Sequence, residues 1–336
     1  MGERAENAGM TRGSDVMPEN AQKVFISVVV PMFNESDNIE TFVTRITTVL
    51  EGLAKPFEVI CVNDGSKDDT LEKLIKLNQN DSRFKVLDLS RNFGKEIALS
   101  AGLDFTSGEV VVPIDADLQD PPELIADLLE KWSEGYDVVY AVRMERDGES
   151  WLKKLTAFMF YRTIHKISPI DIPRNTGDFR LMSRQTVDSL RELRETHRFM
   201  KGLFTWVGYR QTGITYKREP RFAGKTKWNY GKLWNFAIEG ITSFSYLPLQ
   251  WSMYFGFIVA LLAFVLGSIY LVRTLLLGNP VPGYPSLIVV MLFMGGVQLF
   301  TIGIIGEYIG RIYTETKRRP LYLVRRCFGL TPNNKD

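Results

Sequence analysis

Between Glu239 and Arg273 the chain carries no charged residue, and between Arg273 and Glu307 it again carries none. Residues 251–272 of the first gap are almost wholly apolar, and residues 287–305 of the second form a run that a helix stretches over about 28 Å. A core helix of a soluble protein keeps one polar face, whereas a helix in lipid is apolar all round, so the pair reads as two bilayer spans. The turn between them, at 277–285, is short and uncharged, while Arg311, Lys317, Arg318, Arg319, Arg325 and Arg326 crowd beyond the second. By the positive-inside bias, both termini and the large N-terminal part are expected on the cytoplasmic side of the plasma (inner) membrane. Arg273, near the outer end of the first span, must snorkel or find a partner.

The net charge of +2 on 336 residues is too small to point to nucleic acid, and the basic clusters lie near the apolar segments, where anionic lipid headgroups are their natural neighbours. Residues 1–22 are polar, contain no apolar core of a secretory signal and are expected to be a disordered tail. Two cysteines, Cys61 and Cys327, fit a reducing compartment, and His165 and His197 alone exclude a histidine-rich metal site.

Residues 23–143 alternate strand and helix patterns. Strands are expected at 24–31, 57–63, 85–89, 110–115 and 137–143, and helices near 37–53, 67–79, 94–106 and 121–134. Such alternation predicts an α/β, Rossmann-like, mostly parallel sheet with helices on both faces. A dinucleotide site is excluded by the first turn, where Pro31-Met32-Phe33-Asn34-Glu35 offers no glycine for a pyrophosphate to approach. Ligands of such sheets sit at the carboxyl ends of the strands, and there the sequence places Glu35, Asp64 and the pair Asp115 and Asp117. Carboxylates gathered on one edge repel one another without a cation, although Asp64-Gly65 alone also suits an ordinary turn. Asp120 is expected to cap the following helix, with Pro121 at its first position.

The segments Val28-Val29-Val30-Pro31-Met32-Phe33-Asn34-Glu35, Val62-Asn63-Asp64-Gly65-Ser66, Arg91-Asn92-Phe93-Gly94-Lys95 and Asp115-Ala116-Asp117-Leu118-Gln119-Asp120 resemble the family 2 glycosyltransferases of the GT-A fold. With the two spans and Gly306-Glu307-Tyr308-Ile309-Gly310-Arg311, the chain is similar to the polyprenyl-phosphate branch of that family, the bactoprenol glucosyltransferase (GtrB-like) type, over about residues 24–326. The resemblance implies that Pro31, Phe33 and Glu35 line the uracil and ribose pocket, that Asp64 contacts the base, and that Lys95 lies near the diphosphate or sugar. It implies that Asp115, Ala116 and Asp117 form the Asp-x-Asp motif at the nucleotide, with Asp115, Asp117 and Gln119 holding Mg²⁺ or Mn²⁺. Hard cations take such oxygen donors and stabilise the charge that develops on a departing nucleoside diphosphate.

The segment Asn175-Thr176-Gly177-Asp178-Phe179-Arg180 resembles the place where these enzymes set an acidic residue near the attacking group. Asp178, with Asp117, is therefore the expected catalytic carboxylate, orienting the acceptor or taking a residual proton; the alternative is a structural pair with Arg180. The implied acceptor, a polyprenyl phosphate, is mostly dianionic at neutral pH and calls for cations. Arg143, Arg146, Arg221, Lys225 and Lys227 are the candidates, because each cluster precedes an aromatic, partly amphipathic stretch, at 151–162 and near 229–248.

These readings divide the chain into the tail 1–22, a catalytic domain 23–228, an interfacial amphipathic helix 229–248, a two-helix membrane region 249–310 and a basic cytoplasmic tail 311–336. The glycines of the second span, with Gly306 and Gly310 at small-xxx-small spacing, suit close packing within the chain or a homo-oligomer through the spans. The expected activity is inverting hexosyl transfer, with UDP-glucose the leading donor and GDP-mannose or UDP-aminoarabinose as alternatives. A processive polysaccharide synthase is disfavoured by the lack of a Gln-x-x-Arg-Trp motif and of further spans, and a silent membrane scaffold by the intact Asp115/Asp117/Gln119 set.

Overall fold

The computed structural model describes residues 23–144, 173, 175–196, 198–217, 247–277 and 283–330. Arg146, Arg221, Lys225, Lys227, the tail 1–22 and the two amphipathic stretches lie outside the described residues.

Four parallel strands form the centre: β1 (Ile26–Met32), β2 (Phe57–Asn63), β3 (Phe84–Leu89) and β4 (Val110–Pro113). The β1–β4 pairing stops at Val29 and Pro113, since proline has no N–H for a further rung. Period-2 alternation divides the strand side chains between two faces. Val28 and Val30 bury against α1 (Ile39–Gly52), α2 (Thr70–Asn80) and α4 (Ile125–Ser133), while Val29 buries against α3 (Lys95–Asp104), α5 (Arg184–Glu192) and α6 (Met200–Trp206). On α1 the buried set Ile39, Phe42, Ile46 and Leu50 has the spacing of one helical stripe.

The expected strands and helices all form, with ends shifted by a few residues. The sequence pattern did not reveal β6 (Thr176–Ser183), antiparallel between β4 and β5 (Val138–Arg143), or β7 (Gln211–Tyr216), parallel to β5. With β8 (Val324–Phe328) at the far edge, the resulting order is β7-β5-β6-β4-β1-β2-β3-β8. Asp120 does not cap the next helix: Pro121 stands at that position before a short 3₁₀ turn, and the buried Asp120 carboxylate accepts the Tyr216 hydroxyl instead.

The apolar hairpin forms α7 (Leu247–Leu277) and α8 (Tyr284–Thr316), and their stretches Leu249–Ile269 and Phe293–Thr316 are long and apolar enough to cross a membrane. Phe257, Leu262, Phe264, Leu299 and Phe300 point outward, which is not how the core helices of a soluble protein present such side chains and suggests membrane association. Gly295, Gly296, Gly303, Gly306 and Gly310 have open space where a Cβ would stand, so the contact between the two helices does not use them.

The basic segment after the hairpin is not a free tail. Residues Val324–Phe328 form β8, antiparallel to β3, and close that edge of the catalytic sheet. The return is fastened on both sides of the strand: Tyr322 donates its hydroxyl to Asp104 Oδ2 at 2.7 Å, and the Ser90 amide donates to the Leu323 carbonyl at 2.8 Å. Arg326 Nε stands 3.4 Å from Asp88 Oδ2, a buried oxygen with no hydrogen-bond partner, while the Asn63 amide donates to Asp88 Oδ1 at 2.8 Å.

Removing the cation from this pair leaves Asp88 as an uncompensated buried charge. Because Arg326 is half exposed, Arg326→Met is expected to cost roughly 1–3 kcal/mol by chemical unfolding in detergent. Adding Asp88→Asn, which keeps the Asn63 contact, is expected to recover most of that loss; an equal loss in single and double variants would refute the pairing.

Candidate active site

The carboxyl ends of β1, β2 and β4 meet on one edge, and each strand leaves it through a left-handed residue. Asn34 (φ 52°) follows β1, Gly65 (φ 66°) follows β2 and Leu118 (φ 55°) follows β4. Non-glycine residues in that region cost roughly 1–2 kcal/mol each. Asn34 offsets the cost with local bonds: its amide donates to Ser66 Oγ at 3.0 Å, and its side-chain oxygen accepts the Lys67 amide at 2.8 Å. A Cβ on Gly65 would stand 2.6 Å from the Arg91 and Asn92 backbone, so only glycine fits this crossing.

Pro31 pairs with Val62 one residue before β1 ends at Met32, and Phe33 and Glu35 follow. Glu35 Oε2 accepts the Asn38 side-chain amide at 2.6 Å, and the Glu35 amide donates to Thr70 Oγ1 at 3.0 Å. Asp64 is buried, and its two oxygens accept the Phe93 and Gly94 amides at 2.7 and 2.9 Å. Burial raises its pKa despite those amides and the charge of Arg91. Asp64 therefore fixes the turn from which α3 starts, and Lys95 is the first residue of that helix.

The Lys95 ammonium binds two of the expected site carboxylates at once, Asp115 Oδ1 at 2.7 Å and Asp178 Oδ2 at 2.6 Å. Burial works against the Lys95 charge, but the two carboxylates outweigh it and hold its pKa well above the ordinary lysine value. For Asp178 burial is likewise overcome, by Lys95 and then Lys201, so its carboxyl lies well below the usual range. The alternative pairing of Asp178 with the Arg180 side chain is not made. Arg180 donates to the Gly177 and Asp178 carbonyls at 2.9 and 3.3 Å and lies 3.8 Å from the Phe204 ring centroid, its pKa lowered by burial to about 10.

Ala116 is buried between the two aspartates, and the Gln119 amide donates to Asp117 Oδ1 at 3.2 Å, so Asp115, Asp117 and Gln119 share one tight turn. Two carboxylates and a carboxamide are hard oxygen donors that suit Mg²⁺ or Mn²⁺, which keep phosphate and water oxygens as further ligands. Asp115 already accepts one cation, the Lys95 ammonium, and so has the exposure and polarity that a cation site needs. Among the described residues no group of three or more His, Cys, Asp or Glu forms a closed metal cage.

Arg143, expected at the acceptor phosphate, lies in a buried triangle. Its guanidinium faces Asp120 Oδ2 at 3.3 Å and donates to the Tyr216 hydroxyl at 3.1 Å, so that Asp120 outweighs burial and holds its pKa up. A Cβ at Gly177 would meet Arg143 Nη2 at 2.5 Å, which ties this arginine to the strand carrying Asp178. Sequence reasoning missed Tyr216, Glu96 and Lys201, none of which lies in a recognisable motif. Glu96 accepts the Met200 amide at 3.2 Å, and burial followed by the Asp178 charge pushes its carboxyl up to about 7.

The family model of glycosyl transferase family 2 matches residues 27–191, and that of the GtrB C-terminal hairpin matches residues 253–312. The chain is 58% identical over 305 residues to an uncharacterized glycosyltransferase of Synechocystis, covering 91% of this chain and 96% of that one. It is 50% identical over 309 residues to the SfII prophage-derived bactoprenol glucosyl transferase of Shigella flexneri, covering 91% and 99%. With a prophage bactoprenol glucosyl transferase homolog of Escherichia coli it shares 48% over 301 residues, covering 90% and 98%. A solved glucosyl-3-phosphoglycerate synthase of Mycobacterium tuberculosis, in complex with Mn²⁺, UDP-glucose and phosphoglyceric acid, is 23% identical over 65% of this chain and 77% of that one, with a TM-score of 0.44.

The raised Glu96 carboxyl has a stability consequence. Between its ordinary value of 4.5 and about 7 the folded chain binds a proton that the unfolded chain lacks, so this group's contribution to stability falls as pH rises through that window. Glu96→Gln keeps an oxygen for the Met200 amide and removes the titration. Thermal unfolding is expected to show the variant stabilised relative to the parent at about pH 8, with the gain vanishing towards about pH 4; a pH-independent difference would contradict the assignment.

Proposed function

The chain belongs to glycosyltransferase family 2 and is a hexosyltransferase, and from that premise we propose that it moves glucose from UDP-glucose to a polyprenyl phosphate such as undecaprenyl phosphate. The observation that carries this reading is the Lys95 bridge, which holds Asp115 of the leaving-group turn and Asp178 of the acceptor strand on one ammonium. Donor and acceptor are thereby kept adjacent, and neither carboxylate is left to repel incoming phosphate with its full charge.

In the proposed reaction an acceptor phosphate oxygen attacks the anomeric carbon as the bond from that carbon to the diphosphate oxygen breaks. In-line attack opposite the departing UDP inverts the configuration. Asp115, Asp117 and Gln119 would hold a Mg²⁺ or Mn²⁺, which would supply charge stabilisation to the leaving diphosphate. Pro31, Phe33 and Glu35 border the nucleotide, while Asp64 acts by holding the turn before Lys95. The nucleophile is already charged, so Asp178 serves to orient it and to shape the sugar site rather than to remove an essential proton. Arg143 contributes positive charge beside Asp178, with Arg146, Arg221, Lys225 and Lys227 as further candidates.

On this reading the hairpin α7–α8 spans the plasma membrane with the catalytic domain and both termini cytoplasmic. The pairing of β8 with β3 supports it, because chain leaving the hairpin rejoins the domain that preceded it. Arg311, Lys317, Arg318 and Arg319 at that end agree with the positive-inside bias.

Purified protein given UDP-glucose, Mg²⁺ and undecaprenyl phosphate is expected to form polyprenyl-monophosphate glucose and UDP, identified by mass spectrometry. Failure to form a lipid-linked sugar from any common nucleotide sugar sinks the proposal. Chelation with EDTA is expected to abolish turnover and added Mg²⁺ or Mn²⁺ to restore it; full activity in chelator removes the metal from the mechanism. Asp178→Asn is expected to lower kcat by roughly 100-fold through loss of positioning, and near-normal turnover removes any catalytic role for that carboxylate.

A further inference from the structure

We propose that Tyr216 is a positioning residue for the metal side of the site: its hydroxyl, together with Arg143, clasps Asp120 and so holds the turn 115–120 in the shape that takes a divalent cation and a nucleoside diphosphate. The inference rests on the metal-assisted transfer proposed above and gives a part to a residue that no sequence motif marks.

The turn follows β4, which ends at Pro113, and carries Asp115, Asp117 and Gln119 before it reaches Asp120. Local preference does not maintain its shape. Leu118 sits at φ 55°, which costs a residue with a Cβ roughly 1–2 kcal/mol, and Asp115 and Asp117 are like charges two residues apart. Such a turn needs both ends fixed. Lys95 holds the first end, at Asp115. Asp120, directly after Gln119 and only 2% exposed, is the other.

The sheet brings the clasp to Asp120 from two distant strands. In the parallel pairing of β5 with β7, Arg143 stands opposite Tyr216, so the two side chains leave the sheet on the same face. Backbone bonds set them there: the Arg143 amide donates to the Asn175 carbonyl and the Met144 amide to the Tyr216 carbonyl, each at 2.9 Å. Arg143 Nε donates to the Tyr216 hydroxyl at 3.1 Å, that hydroxyl donates to Asp120 Oδ1, and Arg143 Nη2 stands 3.3 Å from Asp120 Oδ2. A hydroxyl that accepts from a guanidinium is polarised and donates more strongly. Burial and then the Asp120 charge push the Tyr216 phenol up, so it keeps its proton at neutral pH and remains the donor. Gly177 leaves the room that the ring of contacts needs, since a Cβ there would stand 2.5 Å from Arg143 Nη2.

This closed ring supplies position more than stability. A buried Asp–Arg pair contributes little once desolvation is counted, and apolar side chains of similar volume fill such a space as well. Its location is what is specific: it fixes the chain between Gln119 and the 3₁₀ turn at Pro122–Leu124, and ties that point to β5 and β7. A phenylalanine would fill the volume of Tyr216, but only the hydroxyl meets Asp120 and Arg143 together.

The test uses the full-length protein in detergent, with UDP present and no acceptor, and reads Mn²⁺ binding by electron paramagnetic resonance. Tyr216→Phe removes only the hydroxyl, and Gly177→Ala pushes the Arg143 guanidinium off Asp120. Neither changes the charge of the chain, so a fall in cation affinity cannot come from a lost carboxylate. Each is expected to weaken Mn²⁺ binding roughly 10-fold. In turnover assays the Mn²⁺ concentration for half-maximal rate is expected to rise by a similar factor, with saturating Mn²⁺ returning the kcat of Tyr216→Phe close to that of the parent. Parent-like Mn²⁺ affinity in both variants overturns the proposal even if their thermal unfolding temperature falls, because the ring then has a structural part only. A change confined to the undecaprenyl phosphate KM overturns it as well and gives Tyr216 to the acceptor side through Arg143. If the parent binds no Mn²⁺ in the presence of UDP, the metal reading falls and this inference falls with it; if the parent binds Mn²⁺ and the variants match it, the clasp alone is wrong.

Discussion

One ammonium, that of Lys95, sets the electrostatics of the candidate site. Without it, Asp115 and Asp178 would be two like charges with no cation between them. With it, the Asp178 carboxyl is held well below the usual range, while burial and then the Asp178 charge raise the Glu96 carboxyl to about 7. A metal-binding carboxylate must be ionised and an orienting carboxylate must accept hydrogen bonds, so the cation between them serves both requirements. Its position depends in turn on Asp64, which clamps the two amides just before α3.

That clamp explains why so much unfavourable backbone gathers at one edge. Asn34, Leu118 and Asn175 all sit at left-handed φ, and Gly65 does so against the Arg91 and Asn92 backbone. Each is next to a strand that is mostly buried, and the burial of side chains such as Val28, Ile60 and Val112, roughly 1.5–3 kcal/mol apiece, exceeds the local strain. The rigid sheet thus pays for sharp turns that aim short side chains at a common point.

Much of this was legible in the sequence for a simple reason: β1 to β4 are almost wholly buried, with β-branched runs in β1 and β4, while α1, α2 and α4 carry regular apolar stripes. The carboxylates at the strand ends were legible too, because chain direction alone puts them on one edge. What stayed hidden depends on contacts distant in sequence. Strand β6 carries Arg180 at a buried position and Asp178 in the site, so its alternation is broken by function. Asp120 looked like a cap because Pro121 follows it; its actual partner, Tyr216, is 96 residues away. The basic segment looked like a membrane-surface tail, since Arg325 and Arg326 dominate its composition, and only Asp88 and the β3 edge make it a strand. Arg146, Arg221, Lys225 and Lys227 fall outside the described residues, and the part they were given at the acceptor stays a proposal.

Strand β8 also ties the apolar hairpin to the candidate site. Helix α3, about 15 Å long by its ten residues, begins at Lys95 and ends at Asp104. At its far end Asp104 receives both the Tyr322 hydroxyl from the segment leaving α8 and the Arg194 guanidinium at 2.6 Å, while Glu315 near the end of α8 accepts the Thr196 amide at 2.7 Å. The helix that carries the central ammonium is therefore anchored at one end by the Asp64 clamp and at the other by chain emerging from the apolar hairpin. On the reading proposed above, a lipid acceptor brings its phosphate to a site whose central ammonium sits on a helix held at both ends.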